Sequence, residues 1–508
     1  MSSIPPDMEP RAAQSSASSL VLRNTLFLSV AQLASLPLSI LLNASMARYL
    51  GATALGYMYL GSTFNAFAYL IVEWGQAGAL PAMVASDRSR AGALLGTSLA
   101  WRFPLGLISG LVIYAACTLL GYEDDARTAI CVFSIAFLAT TLVNVCQETI
   151  LGFERTDVTA VRQFSEQLLA VLFVIPVMLL GGKMPLALLA CAAATLVAGV
   201  YVWRSLARVG VGRVRFDRKL LSELLARGAP FVVLNLAMIL QPNVDAVFLS
   251  KYASPEAVGW HAAARKLMGL LLFPATTMVG ALYPTLCRLF ATQREQFEQT
   301  AAAALRGTAL LVMPVALSCG LYPELGLVIY GRDAFGPAAD NLRVFAVFIF
   351  LVYFTMPIGV SLLAMGKQRS WAVVQSLCVL VSAVLDPLLV PWFQAHAGNG
   401  GLGVATAGVV SELLVIGCGV ALAPRGLFGR DFWRSLRPAL GSGAVMALSA
   451  YLLRGLNGFV AAPMALTAYV IALRVTGGLD DATLELASDF VRRKLGRLMR
   501  KPAAQGGR

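Results

Sequence analysis

Apolar residues in this chain occur in long blocks, separated by short polar connections. Blocks of about 20 mainly apolar residues recur from end to end, and each is long enough to cross a hydrocarbon core about 30 Å thick. The pattern therefore predicts an all-α membrane protein with about 14 transmembrane helices. The predicted spans lie near residues 22–47, 54–83, 92–120, 127–151, 159–181, 184–206, 226–250, 257–286, 301–321, 339–365, 370–394, 402–422, 437–453 and 457–474.

The basic residues of the connections test this topology. If the N-terminus is cytoplasmic, the connections on the inner side contain twenty Lys and Arg residues and those on the outer side contain seven. Cytoplasmic connections carry an excess of Lys and Arg, so this bias favours fourteen spans with both termini inside. The opening stretch 1–19 is polar and lacks the features of a cleaved signal peptide, and we expect it to be a disordered cytoplasmic tail.

Similar sequences recur in the two halves of the chain. The segment Arg48–Tyr57 matches Lys251–Trp260 at a constant offset of 203 residues, and Gly78–Pro81 resembles Gly280–Pro284 after one inserted residue. We interpret this as two six-helix lobes related by a parallel internal repeat, an arrangement common in transporters. The predicted parts are an N-lobe at 20–207, a basic linker at 208–225, a C-lobe at 226–424, spans 13 and 14 at 425–478, and a cytoplasmic amphipathic tail at 479–508.

The amino-acid composition further narrows the class of protein. With 58% hydrophobic and 13% charged residues, the chain is no soluble domain, and its net charge of +13 is better explained by membrane topology than by nucleic-acid binding. The eight cysteines form no C-x-x-C pair and there are two histidines, so neither a metal site nor a cofactor is predicted. The absence of a G-x-x-x-x-G-K-[ST] loop argues against ATP hydrolysis.

Three cations lie deep inside predicted spans, where a charge is costly unless it faces a wet cavity or a partner. Arg102 lies roughly 17 Å into the third span, and Arg265 and Lys266 roughly 13–15 Å into the eighth. We interpret them as a binding site for an anionic head group such as a pyrophosphate. The alternative is that each pairs with a buried carboxylate and orients helices. Arg48, at a span end, completes the candidate substrate-binding set.

Acidic residues inside the spans are candidates for ion coupling. The candidates are Glu73, Asp245, Glu166 and Glu412. A buried carboxylate can carry a proton across part of the membrane, but simpler interpretations exist for some of this set. Glu166 lies four residues after Arg162, so the two side chains could satisfy each other. A further acid, Asp386, precedes Pro387 and could mark a helix break.

Several short segments resemble one known family. The run Ala47–Gly51 with Leu55–Tyr57 is similar to the "aRyLGp…fGly" stretch of polysaccharide repeat-unit flippases, and Val258–Leu267 resembles their "vGlYslAykl" segment. Gly400–Ala407 resembles the turn into their twelfth span, and Ile329–Phe335 resembles their "llyG..F" motif. These flippases belong to the superfamily that also contains multidrug extrusion proteins and the lipid II flippase.

The resemblance implies a flippase that moves undecaprenyl-pyrophosphate-linked oligosaccharides across a bacterial inner membrane by alternating access. Its partners would be the lipid-linked substrate, membrane lipids, and polysaccharide polymerases and glycosyltransferases. Arg102, Arg265 and Lys266 would hold pyrophosphate or acidic sugars between the lobes. Alternatives are a lipid II-type flippase, a cation-coupled drug exporter, a membrane polymerase or ligase, and a non-transporting scaffold. We expect no enzymatic activity because the outer loops are too short to hold an acceptor.

Overall fold

The computed structural model describes the backbone of residues 9–478, and the side chains of residues 30–478 apart from scattered positions between 233 and 435. Within this part, the chain forms sixteen α-helices and two short 3₁₀ helices and contains no β-strand. The all-α fold predicted from the apolar blocks is confirmed. The predicted amphipathic tail at 479–508 lies outside the described residues.

The first half of the chain consists of long helices joined by tight connections. They are α1 (Glu9–Glu73), α2 (Gln76–Ser86), a 3₁₀ turn (Arg88–Arg90), α3 (Ala91–Leu119), α4 (Asp124–Leu151), α5 (Thr156–Leu179), α6 (Met184–Val209) and α7 (Arg218–Tyr252). The second half comprises α8 (Pro255–Thr292), α9 (Arg294–Leu321), α10 (Pro323–Leu327), α11 (Arg332–Phe335), α12 (Ala338–Ala364), α13 (Gln368–Ala397), α14 (Gly401–Leu422), a 3₁₀ turn (Arg425–Phe428), α15 (Arg430–Leu452) and α16 (Gly458–Val475).

Helix α1 contains the first predicted span and residues 54–73 of the second, whose remainder lies in α2 after a break at Trp74 and Gly75. The helical path is interrupted at Gly51, whose φ of 82° lies in the left-handed region that favours glycine. This interruption falls between the predicted spans 22–47 and 54–83. The helix begins at Glu9, inside the stretch 1–19 that was expected to be disordered, where several alanines favour a helical backbone.

Eleven helical segments of the described chain are long and apolar enough to cross a membrane. Val30–Ser86 counts once among them although it overlaps two predicted spans, and neither α7 nor α15 is among the eleven. The count of fourteen therefore stays a prediction, whereas the multi-pass character of the protein is established.

Two compact units make up the chain. Within the described residues, the first comprises 9–263, 329–338 and 379–404. In it α1, α4, α5 and α6 pack against one another, and α2 packs against α7. One of its cores contains Leu80, Leu94, Ile150 and Leu224, all fully or almost fully buried. Burying such side chains in close contact gives these helices a defined arrangement within the unit.

Within the described residues, the second unit comprises 264–328, 339–378 and 405–478. Its helices α9, α15 and α16 pack together around Met446, Ala465 and Tyr469. The Tyr469 hydroxyl donates a hydrogen bond to the Leu310 carbonyl oxygen at 2.7 Å, which satisfies the polar end of an otherwise buried ring.

Candidate functional site

A buried polar cluster lies at the centre of α3 in the first unit. The Arg102 side chain is fully buried, and its guanidinium donates to both carboxylate oxygens of Glu148 on α4, with Nη2 at 2.5 Å from Oε2 and Nη1 at 3.1 Å from Oε1. Its Nε donates to Oε1 of Gln76 at 3.1 Å, and the same oxygen accepts a hydrogen bond from the Ser98 hydroxyl. This bidentate arrangement uses most of the hydrogen-bonding capacity of the guanidinium.

The environment of Arg102 bears directly on its predicted role. Because its partner is a carboxylate on the neighbouring helix, the geometry favours the alternative in which Arg102 fixes α2, α3 and α4 relative to one another. The sequence drew attention to Arg102, but its pairing with Glu148 depends on how α3 and α4 are packed. Gln76 carries no sequence signal of its own, since uncharged polar residues are common in membrane helices.

Glu73 lies at the break between α1 and α2. Its carboxylate accepts hydrogen bonds from the backbone N–H of Gly75, at 3.2 Å, and of Ala77. Both intervening residues have positive φ, 49° for Trp74 and 69° for Gly75. A carboxylate at this position satisfies the free N–H groups at the start of α2 and opposes the positive end of its dipole. This contact gives Glu73 a structural role, and its part in ion coupling stays a prediction.

The break is held against α7 by very close packing. The Trp74 indole N–H donates to the Leu225 carbonyl oxygen at 3.2 Å. A Cβ atom on Gly75 would lie 2.1 Å from the carbonyl oxygen of Gly228, so no side chain fits there. Glycine at 75 is therefore required both by its backbone angle and by the approach of α7.

Glu166 is held by two neighbours in the first unit. Its Oε2 lies 3.0 Å from Arg162 one helical turn earlier, and its Oε1 accepts a hydrogen bond from the Thr195 hydroxyl on α6 at 2.8 Å. The predicted i,i+4 contact between Arg162 and Glu166 is confirmed. The pair joins α5 to α6, which is a sufficient structural reason for a charge at this depth.

Two carboxyl groups meet in the first unit. Asp245 on α7 is 8% exposed, Asp386 on α13 is fully buried, and the two carboxyl groups are close enough to repel each other when both are charged. Neither carboxylate oxygen of Asp386 accepts a hydrogen bond from an N–H or O–H group of the described residues. The idea that Asp386 marks a helix break is wrong, because α13 is continuous from Gln368 to Ala397. Nearby helices in a bundle support the backbone around a proline, so the helix is not forced to end.

In the second unit, Glu412 on α14 is buried and accepts a hydrogen bond from the Thr355 hydroxyl on α12.

Arg265 and Lys266 follow each other on α8, with Arg265 half-buried and Lys266 exposed. Arg48 belongs to the first unit, where it is exposed and its Nε donates to the Ile329 carbonyl oxygen at 2.8 Å. The predicted cations thus occupy different surroundings, and the structure does not group them into one cluster within a unit.

Residues separated by the offset of 203 contact each other in the first unit. The Thr53 hydroxyl donates to Oε1 of Glu256 at 2.9 Å. Gly56 and Gly259 face each other so closely that a Cβ on Gly259 would lie 1.9 Å from the Ala52 carbonyl oxygen, and one on Gly56 would lie 2.4 Å from that of Pro255. Equivalent positions of the two similar segments therefore cross at a pair of glycines, although the internal repeat as a whole stays a prediction.

An apolar cavity of about 240 Å³ opens within the second unit. Leu267, Leu270 and Leu271 of α8 line it on one side, and Cys319 and Tyr322 lie on another. Lys266 and Leu270 are four residues apart and so share one face of α8. A cation and an apolar cavity are therefore adjacent along a single helix.

Comparison with known proteins shows the family. Residues 21–290, more than half of the chain, match the model of a family described as polysaccharide biosynthesis protein. A comparison with curated protein sequences finds no match.

Solved structures share the fold. A structure described as lipid II flippase MurJ in an inward closed conformation aligns with a TM-score of 0.70 at 14% identity, over 93% of this chain and 100% of that one. A multidrug resistance MATE family transporter in an inward-facing conformation aligns with a TM-score of 0.58 at 17% identity, over 75% and 94% of the two chains. A transporter of the MOP superfamily from Pyrococcus furiosus aligns with a TM-score of 0.52 at 16% identity, over 78% and 94%.

At 14–17% sequence identity, the similarity to these solved structures establishes the fold alone. The match over residues 21–290 shows in addition that the chain belongs to the family. The resemblance seen in the short sequence motifs is confirmed on both counts. The chain is a multi-pass membrane protein with the fold of the MurJ and MATE transporters, and it belongs to the polysaccharide biosynthesis protein family.

Proposed function

We propose that this protein is a flippase that moves a polyprenyl-pyrophosphate-linked oligosaccharide from the inner to the outer leaflet of a bacterial cytoplasmic membrane, with both termini in the cytoplasm. Membership of a polysaccharide biosynthesis family indicates a glycan-related role. The fold of a lipid II flippase supports a lipid-linked cargo over a free sugar. In this proposal the protein transports and does not catalyse a chemical reaction.

The observation that carries the proposal is the arrangement on α8. Arg265 and Lys266 supply two adjacent cations, and the apolar cavity begins at the next residue, Leu267. A lipid pyrophosphate has the same order of parts, a dianionic head joined to a hydrocarbon chain. Guanidinium and ammonium groups bind phosphate oxygens, and the apolar cavity receives the first isoprene units of the chain.

Coupling to an ion gradient is assigned to the carboxyl pair. Two carboxylates side by side repel each other when both are charged, so Asp245 and Asp386 hold a shared proton or bind a small monovalent cation between them. Burial of both side chains makes that preference stronger because water cannot screen the repulsion. Loading and release of the proton or cation would then bias the protein between its inward-open and outward-open states.

A flipping assay tests the head-group site. The protein is reconstituted into vesicles that contain a fluorescent undecaprenyl-pyrophosphate-linked oligosaccharide, and the lipid that reaches the opposite leaflet is quantified. We expect the variant Arg265→Ala/Lys266→Ala to lose most of the flipping rate. The matched control is Arg288→Ala/Arg369→Ala, which removes two exposed arginines elsewhere in the chain. This control should keep the wild-type flipping rate.

Two results would contradict the proposal. If the Arg265→Ala/Lys266→Ala variant flips the lipid as fast as the wild type, these two residues do not form the head-group site, although the protein is still a flippase. No flipping of any lipid-linked sugar by the wild type, together with transport of a cationic dye, assigns the protein to drug export instead.

A further inference from the structure

The connection between α6 and α7 is a fixed strap. Residues 211–217 have no regular secondary structure and run along the start of α3. A Cβ on Gly92 would lie 2.4 Å from the Gly212 carbonyl oxygen, and one on Gly96 would lie 2.5 Å from that of Arg215. Two glycines on one face of α3 therefore leave room for the strap backbone and for nothing larger.

The end of the strap is held by hydrogen bonds. The Asp217 backbone N–H donates to the Thr97 hydroxyl at 3.0 Å. The Asp217 carboxylate accepts from the backbone N–H groups of Lys219, at 2.8 Å, and Leu220, at 3.4 Å, and so caps the start of α7. A surface connection with this many contacts has a defined conformation rather than a loose one.

The side chains of the strap have the composition of a membrane-surface segment. Arg213 and Arg215 alternate in the sequence with Val214 and Phe216, which are 46% and 57% exposed. Arg218 and Lys219 follow, also exposed. Among the described residues, none of these four cations forms an ion pair, and the Asp217 carboxylate is used by its cap.

The length of the neighbouring span is the basis for placing the strap at the level of the lipid head groups. The span that contains α3, Arg88–Leu119, has 32 residues and is therefore about 48 Å long, so each end extends roughly 9 Å beyond a core of about 30 Å. The residues that hold the strap, Gly92 to Thr97, are close to that boundary. Trp203, in the last turns of α6, is 48% exposed nearby in sequence and suits the same interfacial layer.

We propose that this strap is a binding surface for anionic phospholipids, separate from the transport site. Val214 and Phe216 insert at the boundary of the acyl chains, and Arg213, Arg215, Arg218 and Lys219 bind the phosphate groups of the surrounding head groups. Exposed apolar side chains next to cations are typical of segments that lie in a membrane interface, and four cations without an ion pair complement negative lipids there. The close contact of the strap backbone with Gly92 and Gly96 of α3 fixes the position of these cations at the lipid surface.

The test measures lipid preference in the purified full chain. Thermal unfolding in detergent is followed while phosphatidylglycerol or phosphatidylcholine is added, and the lipid concentration that gives half of the maximal stabilisation is recorded for each. We expect the wild type to prefer phosphatidylglycerol. The variant Arg213→Gln/Arg215→Gln/Arg218→Gln/Lys219→Gln should lose about tenfold or more of that preference, since each cation near an anionic surface contributes substantially.

Two further variants separate a positioned site from general positive charge. The matched control, Arg288→Gln/Arg369→Gln/Arg434→Gln/Arg437→Gln, removes four exposed arginines elsewhere and should keep the wild-type preference. Gly96→Ala keeps every charge but displaces the strap backbone, and it should weaken the preference severalfold. A strap variant with wild-type preference, a control that loses as much as the strap variant, or a Gly96→Ala protein that keeps the full preference would each overturn the proposal.

Discussion

The ion pair between Arg102 and Glu148 gives the sharpest prediction. Replacing Glu148 with Leu leaves a fully buried guanidinium without its carboxylate, and Gln76 remains as the one acceptor of its Nε. Removing one partner of a buried pair costs about 3–5 kcal/mol. Because Gln76 still accepts one hydrogen bond, we expect a loss in the free energy of unfolding near the lower end, about 3 kcal/mol.

The double variant Arg102→Leu/Glu148→Leu separates the two roles. It removes both charges together and fills the space with apolar groups, so the loss in stability should be about 1 kcal/mol or less. If the pair only fixes the helices, this variant also keeps its flipping activity. If Arg102 holds the substrate's pyrophosphate, flipping is lost although the protein is folded.

Unfolding in mixed micelles with increasing dodecyl sulfate measures the stabilities, and the vesicle assay measures flipping. A Glu148→Leu protein that loses less than about 1 kcal/mol would refute the argument from the buried pair. The single variant Arg102→Leu completes the comparison. If the double variant loses as much free energy of unfolding as Arg102→Leu and Glu148→Leu lose together, the two side chains do not act as a pair.

Three other perturbations follow from the local geometry. Glu73→Ala should reduce the free energy of unfolding by about 1–2 kcal/mol because the start of α2 loses its acceptor, whereas Glu73→Gln, which keeps an oxygen, should lose less in the same micelle assay. Gly259→Ala should reduce stability by about 1–3 kcal/mol since its Cβ collides with the Ala52 carbonyl group, and Gly269→Ala on the same helix, where space is open, should not. Asp386→Asn should make flipping independent of an imposed proton or sodium gradient; a variant that still responds to the gradient would exclude the carboxyl pair as the coupling site.

Much of the architecture could be predicted from the sequence because it depends on local composition. The thickness of a hydrocarbon core sets the length of an apolar block, so the helices and their approximate boundaries follow from the pattern alone. The end of one span and the start of the next could be placed around Gly51 without knowing what they contact. Short motifs were also enough to indicate the family, and the match over residues 21–290 confirms it.

The partners of the charged residues required the tertiary structure. Arg102 and Glu148 are 46 positions apart, and Asp245 and Asp386 are 141 apart, so no local pattern brings either pair together. Helix rotation and depth decide whether a buried charge meets an opposite charge, a like charge or a backbone N–H group. Glu73, Glu166 and Asp245 look alike in the sequence, yet one caps a helix, one pairs with an arginine and one faces another carboxyl. The amino-acid sequence alone indicates which residues lie inside the membrane, but only the packing of the helices determines what each of them contacts.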